Sequence, residues 1–179
     1  MVDLFPSNKW LYRLIFIALV NVIVFFHLIP LQTTPSNWAT PDLLICLCYA
    51  WVLRRPEYMP ILLIAVVMLI TDMLFLRPPG LMAALFVLGA EFLRARAHLM
   101  RELTFLPEWV MVAGVLTTVM MANRIILVVL MAPRPPLGLS VLQLVATLAA
   151  YPLVVLFSRY VVGVRKIAPG EVDSLGHRL

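Results

Sequence analysis

Charged side chains are scarce in this sequence: they make up 13% of its 179 residues, against roughly 25% in an ordinary soluble domain. Hydrophobic residues supply 63%, and the mean hydropathy is +1.01. A surface in contact with water needs many more charges, so this composition excludes a soluble globular protein. The chain is predicted to be an integral membrane protein.

Long hydrophilic stretches are also missing, apart from a short C-terminal tail at residues 163–179. The chain therefore has no room for a separate soluble domain, and a single transmembrane domain is predicted. The formal net charge is +5, but the basic residues lie beside apolar runs, where they act as orientation signals. We therefore expect no nucleic-acid partner.

Residues that commonly carry chemistry are few. The two cysteines, Cys46 and Cys48, diverge by about 200° on a helix, so we interpret them as small apolar residues without a disulfide or a shared metal. The motifs HExxH, GxSxG and GxxxxGK[ST] do not occur, and the three histidines fall on different segments. We expect no enzymatic activity, no metal and no cofactor.

The most informative segment covers residues 41–57. Thr40 is predicted to be the N-cap of a helix, Pro41 its first residue, and Asp42 an acid in the first turn, where the helix dipole favours a carboxylate. The apolar run ends at an arginine pair, residues 54–55, which is typical of a membrane helix that reaches the cytoplasmic interface.

Six transmembrane spans are predicted, which makes the protein an all-α polytopic membrane protein. The spans are 10–29, 40–53, 60–76, 79–93, 107–131 and 138–162, the last interrupted by Pro152. The second to fourth are short, at about 14 to 17 residues against the ~20 that cross a bilayer unaided. Local thinning of the membrane or burial within the bundle would accommodate them.

Basic residues predict that both termini lie in the cytoplasm. With that arrangement, the exterior side carries only Arg77 and Arg134, and Arg124 alone lies within a span. The cytoplasmic set is Lys9, Arg13, Arg54, Arg55, Arg94, Arg96, Arg101, Arg159, Arg165, Lys166 and Arg178.

Two charged residues are predicted inside the hydrocarbon layer. Asp72 lies about four residues, or ~6 Å, below the exterior end of the third span, and Arg124 lies about seven residues, or ~10 Å, below that of the fifth. Because their depths match, an ion pair between them is the most economical way to satisfy both charges. We favour a structural role for this pair over a catalytic one; an aspartyl pair of Asp42 and Asp72 receives little weight.

The fifth span also carries a stripe of small residues, Gly114, Thr118 and Ala122, one every four positions. Such a stripe lets two membrane helices approach closely. Thr117 and Arg124 fall on another face of the same helix. One face is therefore expected to enter the bundle, while the other meets a partner or a neighbouring helix.

Several short motifs make the sequence resemble the MreD family of rod-shape-determining membrane proteins. These are Pro-Asp-Leu-Leu at 41–44, Trp-Val-Leu at 51–53, Thr-Asp-Met-Leu at 71–74 and Pro-Pro-Gly-Leu-Met-Ala at 78–83. An acid late in the third span, followed by a glycine-containing turn, is the core of the likeness. The Arg-Pro-Pro-Gly turn at 77–80 is similar to that of alphaproteobacterial members.

The resemblance implies a component of the bacterial inner membrane that works in the cell-elongation machinery. Its implied partners are MreC, MreB, RodA and a class B penicillin-binding transpeptidase, and its implied fold is similar to the S components of energy-coupling-factor transporters. The candidate structural or interaction residues are Asp42, Asp72, Arg77, Gly80, Gly114, Thr118, Ala122 and Arg124.

Two functional classes follow. The first is a non-enzymatic scaffold that binds other membrane proteins and is needed for cell shape and lateral peptidoglycan synthesis. The second is a small-molecule or lipid-binding transport component, which is suggested by the implied similarity to the S components of transporters. A solute site needs polar groups around an exterior cavity, and the short exterior turns supply few.

The predicted topology is testable with reporter fusions. An alkaline phosphatase fused after Arg96 should be inactive, because the positive-inside rule keeps that loop in the cytoplasm. A fluorescent protein fused to the C-terminus should fluoresce there. Phosphatase activity after Arg96 would contradict the arrangement.

Overall fold

The described part of the chain consists of helices and their connections. A computed structural model describes residues 9–29, 40–100, 103–132 and 136–164. Within them lie α1 (Lys9–Leu28), α2 (Leu43–Arg54), α3 (Ile61–Leu74), α4 (Leu81–Arg96), α5 (Phe105–Val129) and α6 (Leu137–Tyr160), with a 3-10 turn at Pro56–Tyr58. Each predicted span contains one helix, with ends shifted by at most three residues.

Some sequence predictions fall outside the described residues. They concern the exterior connection 30–39, the basic residues Arg101 and Arg134, and the tail from residue 165 onward.

Helix α2 is the centre of the bundle. All its residues from Leu44 to Arg54 are buried, and it packs against α1, α4 and α6. Its 12 residues span about 18 Å, less than the ~30 Å thickness of the hydrocarbon layer. Enclosure by other helices therefore explains how so short a helix is accommodated. Burial within the bundle was one of the two predicted explanations, the other being local thinning of the membrane.

The other helices form a wall around α2. Helices α1, α5 and α6 have 20, 25 and 24 residues and are long and apolar enough to cross a membrane, whereas α3 and α4 have 14 and 16. Helix α3 packs on α4, α4 on α5, and α5 on α6, while α1 lies beside α2 and α3. Helix α4 thus lies between α3 and α5.

The start of α2 differs from the prediction. Thr40 is not the N-cap; Asp42 is, and its carboxylate accepts a hydrogen bond from the backbone N–H of Ile45 at 3.4 Å. The backbone N–H of Asp42 donates to the hydroxyl of Thr147 on α6 at 3.0 Å. The helix begins two residues later than predicted because α6 supplies a partner at that point.

Pro152 lies inside α6 without ending the helix. Proline has no N–H, so the carbonyl of Leu148, one turn earlier, lacks its helical donor. The indole N–H of Trp109 on α5 donates to that carbonyl at 3.1 Å. The expected interruption is therefore repaired by a neighbouring helix.

Helices α2, α4 and α5 approach closely at Gly89. A methyl group added there would lie 3.0 Å from Cγ1 of Val115 on α5 and closer still to the hydroxyl oxygen of Tyr49 on α2. Both neighbours are buried and have little room to move. A residue without a side chain is needed for this three-helix contact.

Replacing Gly89 should therefore destabilise the bundle. Gly89→Ala is expected to cost about 1–3 kcal/mol by overpacking, which exceeds the ~1 kcal/mol that alanine gains over glycine in a helix. The matched control is Gly114→Ala, where an added Cβ meets no heavy atom within 4 Å. Thermal unfolding in detergent should show a lower Tm for Gly89→Ala and an equal or higher Tm for Gly114→Ala; equal effects would contradict the close contact.

Candidate functional site

Asp72 lies near the end of α3 and caps the start of α4. Its Oδ2 accepts hydrogen bonds from the backbone N–H groups of Gly80 at 3.2 Å and Ala83 at 3.0 Å. N–H groups at a helix start have no partner within their own helix. Asp72 is 2% exposed, so these two bonds and the positive end of the α4 dipole replace water around the carboxylate.

The turn between α3 and α4 brings this cap into place. Leu76 has a φ of +52°, and its N–H donates to the carbonyl of Met73. The N–H of Arg77 donates to the carbonyl of Asp72 at 3.0 Å, which completes a Schellman motif. Gly80 has a φ of +86°, a conformation that other residues rarely adopt. These features turn the chain back so that the start of α4 meets Asp72.

The predicted ion pair between Asp72 and Arg124 is wrong. Nη1 of Arg124 donates to the hydroxyl of Ser140 on α6 at 3.1 Å, whereas Asp72 binds the backbone of α4. Helix α4 lies between the helices that carry the two residues. The prediction matched depth alone, and equal depth does not place two side chains on facing surfaces.

A buried ion pair that was not predicted from the sequence joins α2, α5 and α6. Nη2 of Arg54 lies 3.4 Å from Oε1 of Glu108, and the hydroxyl of Tyr151 donates to the same oxygen at 3.0 Å. Arg54 is 7% exposed and Glu108 is fully buried. Removing one partner of such a pair typically costs about 3–5 kcal/mol.

A signal for this pair was present in the sequence. The predicted fifth span begins at residue 107, so Glu108 is expected at the cytoplasmic side, where Arg54 also lies. The two residues therefore match in depth, as Asp72 and Arg124 do. In the structure α5 begins at Phe105, so Glu108 still lies in the first turn of the helix, where it is fully buried.

Ion pairs gather at one end of the bundle, which we name the basic end. Glu57 lies 3.7 Å from Lys9 and 3.6 Å from Arg55. Arg94 lies 2.8 Å from Glu91 and also donates to the carbonyl of Met59. The buried pair of Arg54 and Glu108 belongs to this end as well.

A second polar cluster lies at the N-terminus of α2, away from the basic end. The centroid of the His27 ring is 4.4 Å from that of the Phe75 ring, and the guanidinium carbon of Arg77 is 5.2 Å from the same ring. These contacts join the end of α1 to the end of α3.

The small-residue stripe of α5 is not buried in the described part of the chain: Gly114 and Thr118 are exposed, and a Cβ added at Gly114 meets no heavy atom within 4 Å. With residues of α4 it lines an open apolar groove of about 520 Å³. We name it the α4–α5 groove; its lining includes Leu88, Phe92, Met111, Gly114, Thr118 and Ala122. The hydroxyl of Thr118 donates to the carbonyl of Gly114 at 2.8 Å, so even this polar group is satisfied within α5.

The cysteines are buried and unbridged. The thiol of Cys46 donates to the carbonyl of Thr147 at 3.3 Å, so it adds a weak bond between α2 and α6. In the part of the chain that the structure describes, no three His, Cys, Asp or Glu side chains come together in a way that could hold a metal ion.

Comparisons with known proteins give no relative for this arrangement. No family model, no curated protein and no solved structure matches the chain.

The capping role of Asp72 predicts how its variants behave. Asp72→Ala should cost about 1–3 kcal/mol because two buried N–H groups lose their acceptor, while Asp72→Asn keeps an acceptor oxygen and should cost less. Since Asp72 and Arg124 share no partner, the double change to alanine should equal the sum of the single changes within about 0.5 kcal/mol. The free energy of unfolding in detergent is measured for the wild type, the two single variants and the double variant. Strong non-additivity would show that Asp72 and Arg124 do interact.

Proposed function

We propose that the chain is a non-enzymatic scaffold of the bacterial cell-elongation (rod) complex. In this role it spans the inner membrane six times with both termini in the cytoplasm. It binds MreC and, with it, MreB, RodA and a class B penicillin-binding transpeptidase, and it is needed for cell shape and lateral peptidoglycan synthesis. The MreD-like motifs at 41–44, 71–74 and 78–83 support this role, and the implied fold is that of an energy-coupling-factor S component.

The observation that carries the proposal is the use of the buried polar side chains. Several of them bind other helices of the same chain, whereas Thr71 donates within α3 and the hydroxyl of Tyr49 has no hydrogen-bond partner. Asp72 caps α4, Thr147 accepts from the start of α2, the indole of Trp51 donates to Ser158 at 3.1 Å, and Glu108 holds two helices. Side chains engaged in this way keep a bundle rigid, which is what a scaffold requires of its membrane surface.

The basic end supports the proposed orientation. Lys9, Arg54 and Arg94 come from three different helices and lie at the same end of the bundle, where Glu57, Glu108 and Glu91 neutralise them in part. A concentration of Lys and Arg on one side is the signature of the cytoplasmic side.

The cluster of Asp42, His27 and Arg77 favours a second candidate function. Polar groups at the ends of several helices are what a small-molecule or lipid-binding transport component needs. In that case the chain would bind a solute at the N-terminus of α2, and no wall-synthesis protein would depend on it.

Depletion of the protein separates the two functions. Cells that lose a scaffold of the rod complex should become round or wide, because lateral wall synthesis loses its organisation. The measurements are cell width under the microscope and recovery of MreC with an affinity-tagged chain from native membranes. If depleted cells keep their width and lose uptake of one nutrient, the scaffold proposal is wrong and the transport function is favoured.

Two variants serve as controls in the depleted cells. Arg159→Gln changes an exposed residue in the last turn of α6 and should restore cell width. Glu108→Ala breaks the buried ion pair and should not restore it, because the bundle loses stability.

A further inference from the structure

The α4–α5 groove is elongated along the two helices. On α5 it runs from Met111 to Ala122, which is about 16 Å along the helix axis. Its floor at Gly114 is empty, since a Cβ placed there meets no atom within 4 Å.

The exposed side chains along the groove argue against a helix as the occupant. A helix with its side chains is about 10–12 Å across, so it would rest on the projecting side chains of Leu88 and Phe92, which are 67% and 44% exposed. An extended hydrocarbon chain is much thinner than a helix and is not held away from the floor by these side chains. It can bend along the groove and reach its floor.

Charge at the end of the groove indicates which lipid it takes. Arg96 follows Phe92 by one helical turn, so both lie on the same face of α4. The guanidinium carbon of Arg96 lies 3.6 Å from the centroid of the Phe92 ring. Arg94, by contrast, is turned toward Glu91 and Met59.

Arg96 is exposed and has no acidic partner among the described residues. A basic group beside an apolar groove at the cytoplasmic interface attracts the phosphate of an anionic lipid. A partner helix would instead bring its own Lys or Arg residues to this level, because the positive-inside rule applies to it too.

We propose that the α4–α5 groove binds one acyl chain of an anionic phospholipid, with the lipid phosphate at Arg96. The stripe of Gly114, Thr118 and Ala122 is then the floor of a lipid site. This inference goes beyond the scaffold role and does not depend on it, since a lipid can bind whether or not MreC is a partner.

Photolabelling tests the site directly. The purified full-length chain is placed in phosphatidylcholine nanodiscs that contain a small fraction of phosphatidylglycerol with a diazirine on its acyl chain. A parallel sample carries the diazirine on phosphatidylcholine. Peptide mass spectrometry should find label at Met111 and Thr118, about five-fold more from phosphatidylglycerol, as expected for one basic residue at a membrane surface.

Paired variants separate the headgroup from the groove. Arg96→Gln should bring the two lipids to equal labelling, whereas Arg159→Gln, an exposed arginine on α6, should keep the preference. Gly114→Leu and Ala122→Leu should reduce groove labelling from both lipids by filling the floor. Gly138→Leu is the matched control, because its added side chain also meets open space but lies outside the groove.

Three results would overturn the proposal. The first is equal labelling of the wild-type groove by the two lipids. The second is an unchanged preference in Arg96→Gln, which alters an exposed residue and leaves the fold intact. The third is a protein adduct, instead of a lipid adduct, from a photoreactive amino acid at Thr118 in native membranes, since that would make a helix the occupant.

Discussion

The exclusion of water from around α2 is the constraint on which the rest of the structure depends. An unpaired polar group costs several kcal/mol in such surroundings, so each end of this helix needs a partner from another helix. Thr147 on α6 binds the N–H of Asp42 at the start, and Glu108 on α5 meets Arg54 at the end. These bonds fix the depth of α2 and, with it, the positions of α5 and α6.

The same constraint explains why acidic residues in this chain hold structure together. Asp42 caps its own helix, whereas Asp72 caps the helix that follows across a turn. Glu108 serves two helices through one oxygen. Even the carbonyl left without a donor by Pro152 receives one from Trp109. In a soluble protein water could satisfy several of these groups, but inside a membrane bundle the chain must supply every partner.

The described part of the bundle presents a largely apolar exterior. That exterior is suited to contacts within the membrane, with protein or with lipid, and the α4–α5 groove shows that these contacts need not be alike. A recess with small residues on its floor lies between α4 and α5, whereas α1 and α6 expose many large apolar side chains. A scaffold with both kinds of surface could hold partner proteins and an anionic lipid at the same time.

Local and periodic features were readable from the sequence alone. Low charge and long apolar runs predicted a helical membrane protein and the positions of its helices, because burial of apolar runs is a property of each segment. Tertiary structure alone decided the partners of Asp72, Arg124 and Glu108, and the contact at Gly89. Depth along the membrane follows from residue numbers, but which helices are neighbours depends on packing, and the insertion of α4 between α3 and α5 cannot be derived from either helix by itself.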